Sequence, residues 1–319
     1  MTDWYPTATL DVLRRRALLM QGVRAFFNAR GLLEVETPML SRAGITDPNL
    51  DSLEAGYTGP GAPASGRLYL HTSPEFPMKR LLATGSGPIW QVCKVFRGGE
   101  RGRRHNPEFS MLEWYRPDWD HLQLMDEVAD LVRAVCGERP VRSRSYAQVF
   151  RPLQINAHTD GIGQLRQRAG ALGIPLPGGL DRDGLLDLIL SERIAPELGQ
   201  GHVDFIHDFP ASQAALARIQ PGNPPLAQRF ECFLDGMEIA NGFHELGDAG
   251  EQRARFQAEG NARLLAGRTV PPMDEHLLDA LAAGLPDSAG VAVGLDRLFM
   301  VALGCSHIDQ VLAFPIDRA

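Results

Sequence analysis

The chain reads as an α+β fold, an antiparallel sheet flanked by helices. Three observations point there. β-prone and helical runs follow no regular βαβα alternation. Two β-prone runs, PIWQVCKVF (88–96) and PEFSMLEWYR (107–116), flank a polar loop as in an antiparallel hairpin. The glycine signatures of parallel nucleotide-binding sheets, GxxxxGK[ST] and GxGxxG, are missing.

Residues 10–30 place apolar side chains at three- and four-residue spacing and stop at Gly31, which predicts an amphipathic helix closed by a glycine. LLEVETPML follows as a short β-prone segment broken by Pro38. The stretch GYTGPGAPASG (56–66) is a loop between two β segments. LYLHTSP then reads as a strand, and FPMKRLLATG as a short helix ending in glycine. After the hairpin, HLQLMDEVADLVRAVCG is a helix. Residues 140–200 read as loops and helices, a helical insertion on one catalytic-type domain spanning 1–319. β signals return in HVDFIHDFP, RFECFLDGMEIANGF and GVAVGL.

With 319 residues, 44% hydrophobic and 22% charged, the chain can bury a large core. A net charge of -7 argues against a surface dominated by phosphate contacts, so tRNA is not an expected partner. Cys93, Cys136, Cys232 and Cys305 are dispersed and form no CxxC pair, which excludes a cysteine zinc site or disulfide framework. No apolar run is long enough for a signal peptide or a membrane span, and a cytoplasmic protein without membrane attachment is expected.

Chemistry concentrates in three places. In FRGGERGRRHNPEFSMLEWYR (96–116), Arg97 at a strand end offers a planar fork suited to a phosphate, and Phe109 offers a flat apolar face for a base. Glu113 and Tyr115, two apart on a strand, share one face and together suit an ammonium group. On composition alone, a solvated surface hairpin is the plainer reading. In RFECFLDGMEIANGFHEL (229–246), Glu231, Glu238 and Glu245 recur every seven residues, although Gly236 and Gly242 favour strands over a helix. Such carboxylates suit a hard divalent cation, and an acidic exposed face fits equally. In SAGVAVGLDRLFMVALG, an Asp-Arg pair opens an apolar helix after small residues.

In this order, the three pieces resemble the catalytic core of class II aminoacyl-tRNA synthetases, and of the lysine branch in particular. GLLEVETPML is similar to the first motif, whose proline (here Pro38) sits at a twofold interface, so the resemblance implies a homodimer. FRGGERGRRHNPEFSMLEWYR resembles the second motif and GVAVGLDRLFM the third. HNPEF-x-MLEWY followed by EIANGFHEL is specific to the lysine branch. The first catalytic helix begins near residue 10, which leaves no room for an anticodon-binding barrel. A stand-alone core of this kind, with a tail in AFPIDRA, looks like the elongation factor P–(R)-β-lysine ligase family.

That resemblance implies ATP and Mg²⁺ as co-substrate and cofactor, lysine or β-lysine as the activated amino acid, and elongation factor P as acceptor. It implies that Arg97 binds the α-phosphate, and that Phe109 and Arg297 sandwich the adenine. Glu100, Asn106 and the backbone near Ile239 and Gly294 complete the nucleotide site, with His105 near the terminal phosphates; Glu231 and Glu238 hold Mg²⁺. Glu245 and Tyr115 receive the side-chain ammonium, Glu75 and Glu113 the other amino group, and Ser73 and Pro74 shape the wall. The family usually has an acidic residue two positions after the second-motif arginine; here that position is Gly99, with Glu100 adjacent. Ala292 stands where lysyl-tRNA synthetases typically carry glycine. Arg101, Arg103 and Arg104 suit the docking of an acidic protein acceptor, with a merely solvated loop as the alternative. The competing functions are a truncated synthetase that charges tRNA or makes only adenylates or dinucleoside polyphosphates, and a non-catalytic subunit.

Overall fold

The computed structural model describes residues 4–319. The first helix, α1 (Leu10–Ala29), starts where the Thr9 side chain accepts from the Val12 amide, and it ends just before Gly31, whose φ of 71° favours glycine. Its buried face, Val23, Phe26 and Phe27, turns towards the sheet. The segment around Pro38 yields only two-residue strands, β1 (Leu33–Glu34) and β2 (Leu40–Ser41). β2 pairs with β4 (Arg67–Leu70), and β4 with β3 (Glu54–Gly56), in a small three-stranded sheet. Helix α2 (Glu75–Ala83) follows.

The hairpin forms where it was predicted, as β5 (Ile89–Phe96) and β6 (Glu108–Pro117), with Gln91 opposite Glu113. Helix α3 (His121–Cys136) opens with a reciprocal cap between Asp120 and Gln123. Residues 140–200 differ from the expectation of loops and helices alone. They begin with a strand, β7 (Val141–Ser145), and continue through α4 (Tyr146–Phe150), α5 (Ile162–Ala171) and α6 (Arg182–Ile189). β7 has the sequence VRSRS, with no alternating apolar pattern, because it lies exposed at the sheet edge and pairs in parallel with β8 (Val203–Pro210). The remaining elements are β9 (Ile219–Gln220), β10 (Leu226–Leu234), β11 (Met237–His244), α7 (Ala249–Leu265), α8 (Glu275–Gly284), β12 (Ser288–Gly294) and α9 (Leu295–Leu303).

The main sheet runs β1-β5-β6-β12-β11-β10-β8-β7, with β9 attached to β10. Its pairings are antiparallel except at the two ends, β1–β5 and β7–β8. Strand alternation divides the sheet into two faces. Leu112 and Trp114 of β6 point into the core with Trp90, Phe27, Leu124 and Phe299, the contribution of α1, α3 and α9. Phe27 stacks on Trp90 at 4.9 Å and meets Trp114 edge-on at 5.1 Å. The Trp114 indole donates to Glu127 of α3 at 2.9 Å, so the strand is hydrogen-bonded as well as packed from behind. A second core joins α4–α6 to β8 and β10 through Tyr146, Phe150, Leu186, Ile206 and Phe209. The opposite face of β6 and its neighbours carries polar groups, and α2 closes one end of it through Met78 and Leu82, packed on Ile89 and Tyr115.

Candidate active site

The register of the central strands puts the predicted residues on one surface. Glu113 of β6 lies opposite Ala292 of β12, and Ala292 opposite Asn241 of β11, which in turn faces Glu231 of β10. One step along, Tyr115 lies opposite Gly290. Directly paired residues point to the same face, so these side chains form a continuous floor.

At one end of that floor, three ionisable side chains and a phenol are withdrawn from water. Glu113, Tyr115, Glu245 and Lys79 are each 2% exposed or less. The Tyr115 hydroxyl donates to Glu113 Oε1 at 2.6 Å, and the Ser73 hydroxyl donates to Oε2 at 2.7 Å. Ser73 also accepts the Glu75 amide at 3.0 Å, and Pro74 caps α2, which fixes Glu75 at the first turn of that helix. Lys79, one helical turn on, reaches both Glu75 and Glu245 at 2.5 Å. Burial pushes the Glu113 carboxyl up to about 8, with Glu75 adding to it and the Tyr115 and Ser73 hydroxyls opposing it. Burial likewise pushes Glu245 up to about 7 against the pull of Lys79. For Lys79, burial alone would lower the ammonium, but Glu245 and Glu75 outweigh it and hold the group charged. A cleft of about 500 Å³, also lined by Arg42, Gly44, Arg80 and His276, opens beside Ser73 and Glu75.

Lys79 was not among the residues singled out from sequence, although Glu75-x-x-x-Lys79 has the spacing of a helical ion pair. Gly290 was missed as well. A Cβ there would strike the Tyr115 ring and the Glu245 carboxylate, so the close approach of β12 to both side chains requires glycine.

Further along the same face, at the loop end of the hairpin, Arg97 stands over the Phe109 ring at 5.2 Å from its centroid. Its Nε is buried without a hydrogen-bond partner, and among the described residues none of its nitrogens takes part in an ion pair. A guanidinium in that state is suited to an incoming anion such as a phosphate. Burial lowers its pKa, while Glu100 is the carboxylate that counteracts this most. Gly99 has φ 78°, a left-handed turn that favours glycine and sets Glu100 beside Arg97. Arg297, at the start of α9, is held differently: it donates to the Arg104 carbonyl at 3.1 Å and the Glu238 carbonyl at 2.9 Å, and meets His105 Nε2 at 2.5 Å. Burial and the neighbouring Arg297 push His105 down to about 4. The Asp296–Arg297 pair therefore splits. Asp296 points into the core, accepts the Ser110 amide at 2.6 Å and binds Arg16 of α1 at 2.5 Å, tying α9 to β6 and α1.

Several residues are placed differently from their expected roles. The Asn106 side chain donates to the Glu108 carbonyl at 2.6 Å and accepts from the Ile316 amide at 3.1 Å, fastening the C-terminal segment to the hairpin loop. The Ile239 side chain is in the core and Gly294 precedes α9, which leaves their backbone as the part expected at the nucleotide. Arg101, Arg103 and Arg104 are each bonded within the chain. Arg101 is paired with Asp309 and Asp317, Arg103 donates to the Ser306 carbonyl at 2.8 Å, and Arg104 to the Gly236 carbonyl at 2.7 Å. Arg101 is thereby compensated by two carboxylates, whereas Arg103 and Arg104 bond neutral carbonyls and keep their charge.

Glu231 is buried and bonded to Arg229 at 2.5 Å, which also contacts the Asn241 side-chain oxygen at 3.2 Å. Burial pushes the Glu231 carboxyl up to about 8, with Arg229 opposing and Glu238 reinforcing the shift. Among the described residues no group of three or more His, Cys, Asp or Glu is arranged to hold a metal by itself.

The profile described as tRNA synthetases class II (D, K and N) matches residues 2–318. Curated relatives named elongation factor P–(R)-β-lysine ligase include one from Salmonella paratyphi B, 48% identical over 319 residues, covering 99% of this chain and 98% of the relative. Another, from Vibrio vulnificus, is 48% identical over 321 residues and covered to 99% on both sides. The chain belongs to the class II synthetase family, alongside these ligases. The antiparallel sheet and its polar floor are the synthetase-type framework that the motifs had suggested. Among the described residues no helix is long and apolar enough to cross a membrane.

Proposed function

We propose that the protein activates (R)-β-lysine with ATP as an adenylate and transfers it to a lysine side chain of elongation factor P. One observation carries the reading: three carboxylates, Glu75, Glu113 and Glu245, share one withdrawn pocket with a single lysine. Counting ionisable groups, three carboxylates stand against the one ammonium of Lys79, so with all three ionised the pocket would hold two negative charges in excess. A β-lysine or lysine molecule carries two ammonium groups and matches that excess, whereas a neutral amino acid would leave buried carboxylates uncompensated. The relatives that share 98–99% of their length with this chain bear the name of such a ligase.

In this reading the substrate carboxylate points along the floor towards Arg97. That guanidinium, lacking a partner of its own, takes the α-phosphate and stabilises the charge that grows there as the adenylate forms. Phe109 supplies a face for the adenine, and Arg297, braced by the Arg104 and Glu238 carbonyls, closes the other side. The mutual influence of Glu231 and Glu238 fits a pair of carboxylates held close together. With phosphate oxygens completing the coordination, these two would hold Mg²⁺, which supplies charge neutralisation on the phosphates. The acceptor amine, once deprotonated, attacks the adenylate carbonyl; the new amide forms and AMP leaves. Leu33, Met39 and Leu40, all more than 40% exposed around Pro38, suit a twofold contact between two copies. A cytoplasmic location accords with a translation factor as acceptor.

The test is ATP–pyrophosphate exchange with α- and β-lysine, followed by transfer to purified elongation factor P or to tRNA. Exchange with β-lysine and labelling of the factor are expected. Efficient charging of tRNA would move the function to that of a reduced synthetase.

A further inference from the structure

The buried ion network around Lys79 contains more acid than base. A structural ion pair is balanced: burying a charge without a partner is costly, and a pair that serves only the fold gains nothing from surplus carboxylates. Here one ammonium is set against Glu75 and Glu245 at 2.5 Å each, with Glu113 joined to the same site through Ser73 and Tyr115. Lys79 is 1% exposed, and among the described residues no other lysine or arginine makes an ion pair with these three carboxylates. Its stem leaves α2 beside Met78, which packs on Tyr115, so the chain that carries the ammonium is anchored in the same apolar cluster that supports the phenol.

We propose that Lys79 is a specificity-determining residue, a resident ammonium that sets the net charge of the amino-acid pocket and so the number of ammonium groups a substrate must bring. The inference rests on the pocket assigned above. Lys79 occupies part of the charge of Glu75 and Glu245 and keeps them from repelling each other, while the carboxylates still outnumber it. Without it, the same three carboxylates face each other with no internal cation. Their repulsion then favours the protonated forms further than in the wild type, and a diammonium substrate must displace more protons in order to bind.

A double-mutant cycle tests this by amino-acid-dependent pyrophosphate exchange. Lys79→Met replaces the ammonium with an apolar chain of similar length. It is expected to raise the KM for β-lysine at least tenfold, with the KM for ATP changed less than twofold. In the Glu75→Gln background, which has already lost one carboxylate, the same Lys79→Met change is expected to cost less than threefold. Equal losses in both backgrounds, or an unchanged amino-acid KM in Lys79→Met, would overturn the inference and leave Lys79 as packing. If Lys79→Met does not fold alone, recovery of folded protein in the Lys79→Met/Glu75→Gln double variant supports the charge count, and no recovery refutes it. A wild-type enzyme inactive with either lysine isomer would defeat the proposed function itself and this inference with it. An active wild type without coupling defeats the inference alone.

Discussion

Tyr115 donates its hydroxyl proton to Glu113 Oε1 at 2.6 Å, while Ser73 donates to Oε2 at 2.7 Å. Both hydroxyls come from the protein's own walls, so Glu113 is oriented before any substrate arrives. Two neutral donors favour its charged form without neutralising it, and burial still raises its pKa to about 8. The pocket is thus pre-shaped but short of cations, the condition in which an incoming ammonium gains most.

The pH dependence follows with a definite sign. Glu113 and Glu245 titrate near about 8 and about 7 in the empty pocket, so both are partly protonated at neutrality. A substrate ammonium favours the ionised carboxylates and lowers their pKa, so binding releases protons. The KM for β-lysine should fall as pH rises from 6 to 8 and flatten above it, while the KM for ATP stays nearly constant. Calorimetry in buffers of different ionisation enthalpy should register net proton release at pH 7. Proton uptake would contradict the assignment of these two carboxylates to the substrate ammonium groups.

Arg97→Ala removes a guanidinium that, among the described residues, holds no side-chain hydrogen bond or ion pair, so the fold loses little. The adenylation rate should nevertheless drop by about 10²–10³, the usual loss for one transition-state donor. Arg297→Ala should also be damaging, but with a measurable fall in Tm, because Arg297 braces Arg104 and Glu238. Near-normal exchange by a folded Arg97→Ala protein would remove this arginine from the reaction.

The difference between these two arginines marks what the sequence could reveal. Glu113 and Tyr115 were legible because strand spacing alone puts them on one face, and the hairpin ends are punctuated by polar loop residues. Lys79 was not, since its two partners come from α2 and from the residue after β11, far apart in the chain. Asp296 and Arg297 are adjacent in sequence yet serve the core and the site respectively, a division set by the start of α9 against β6. β7 was missed because an exposed edge strand need not alternate apolar and polar residues. The arginines of the hairpin loop read as a docking surface because the acids that pair with Arg101, Asp309 and Asp317, lie some two hundred residues away.

Gly290→Ala adds a methyl where the Tyr115 ring and the Glu245 carboxylate already stand. Both are buried, and neither can withdraw without disturbing Ile89, Met78 or Lys79. Overpacking of this kind typically costs about 1–3 kcal/mol. The variant should lose at least tenfold in amino-acid KM, with ATP binding largely spared. A wild-type KM in Gly290→Ala would show that the Tyr115–Glu245 wall does not contact the substrate.

Ala292 sets the last expectation, on the choice between lysine isomers. Its register partner on β6 is Glu113, and its partner on β11 is Asn241, so its methyl rises from the floor directly beside the carboxylate assigned to the substrate's non-terminal amino group. In an α-amino acid that amino group sits on the carbon next to the carboxylate; in a β-amino acid it sits one carbon further along. With the carboxylate held towards Arg97 and the terminal ammonium towards Glu245, the two isomers place their other amino group at different heights above Ala292. A methyl in a packed pocket is worth roughly 1–3 kcal/mol, enough to reverse a preference of tenfold or more. Wild type should therefore prefer (R)-β-lysine in pyrophosphate exchange, and Ala292→Gly should move the ratio of kcat/KM values at least tenfold towards α-lysine. Stability should change little, since the neighbouring glycines at 290 and 294 show that β12 already tolerates small residues on this face. The same ratio in both proteins would mean that discrimination lies elsewhere, with the Ser73–Glu75 corner of the wall the next place to test.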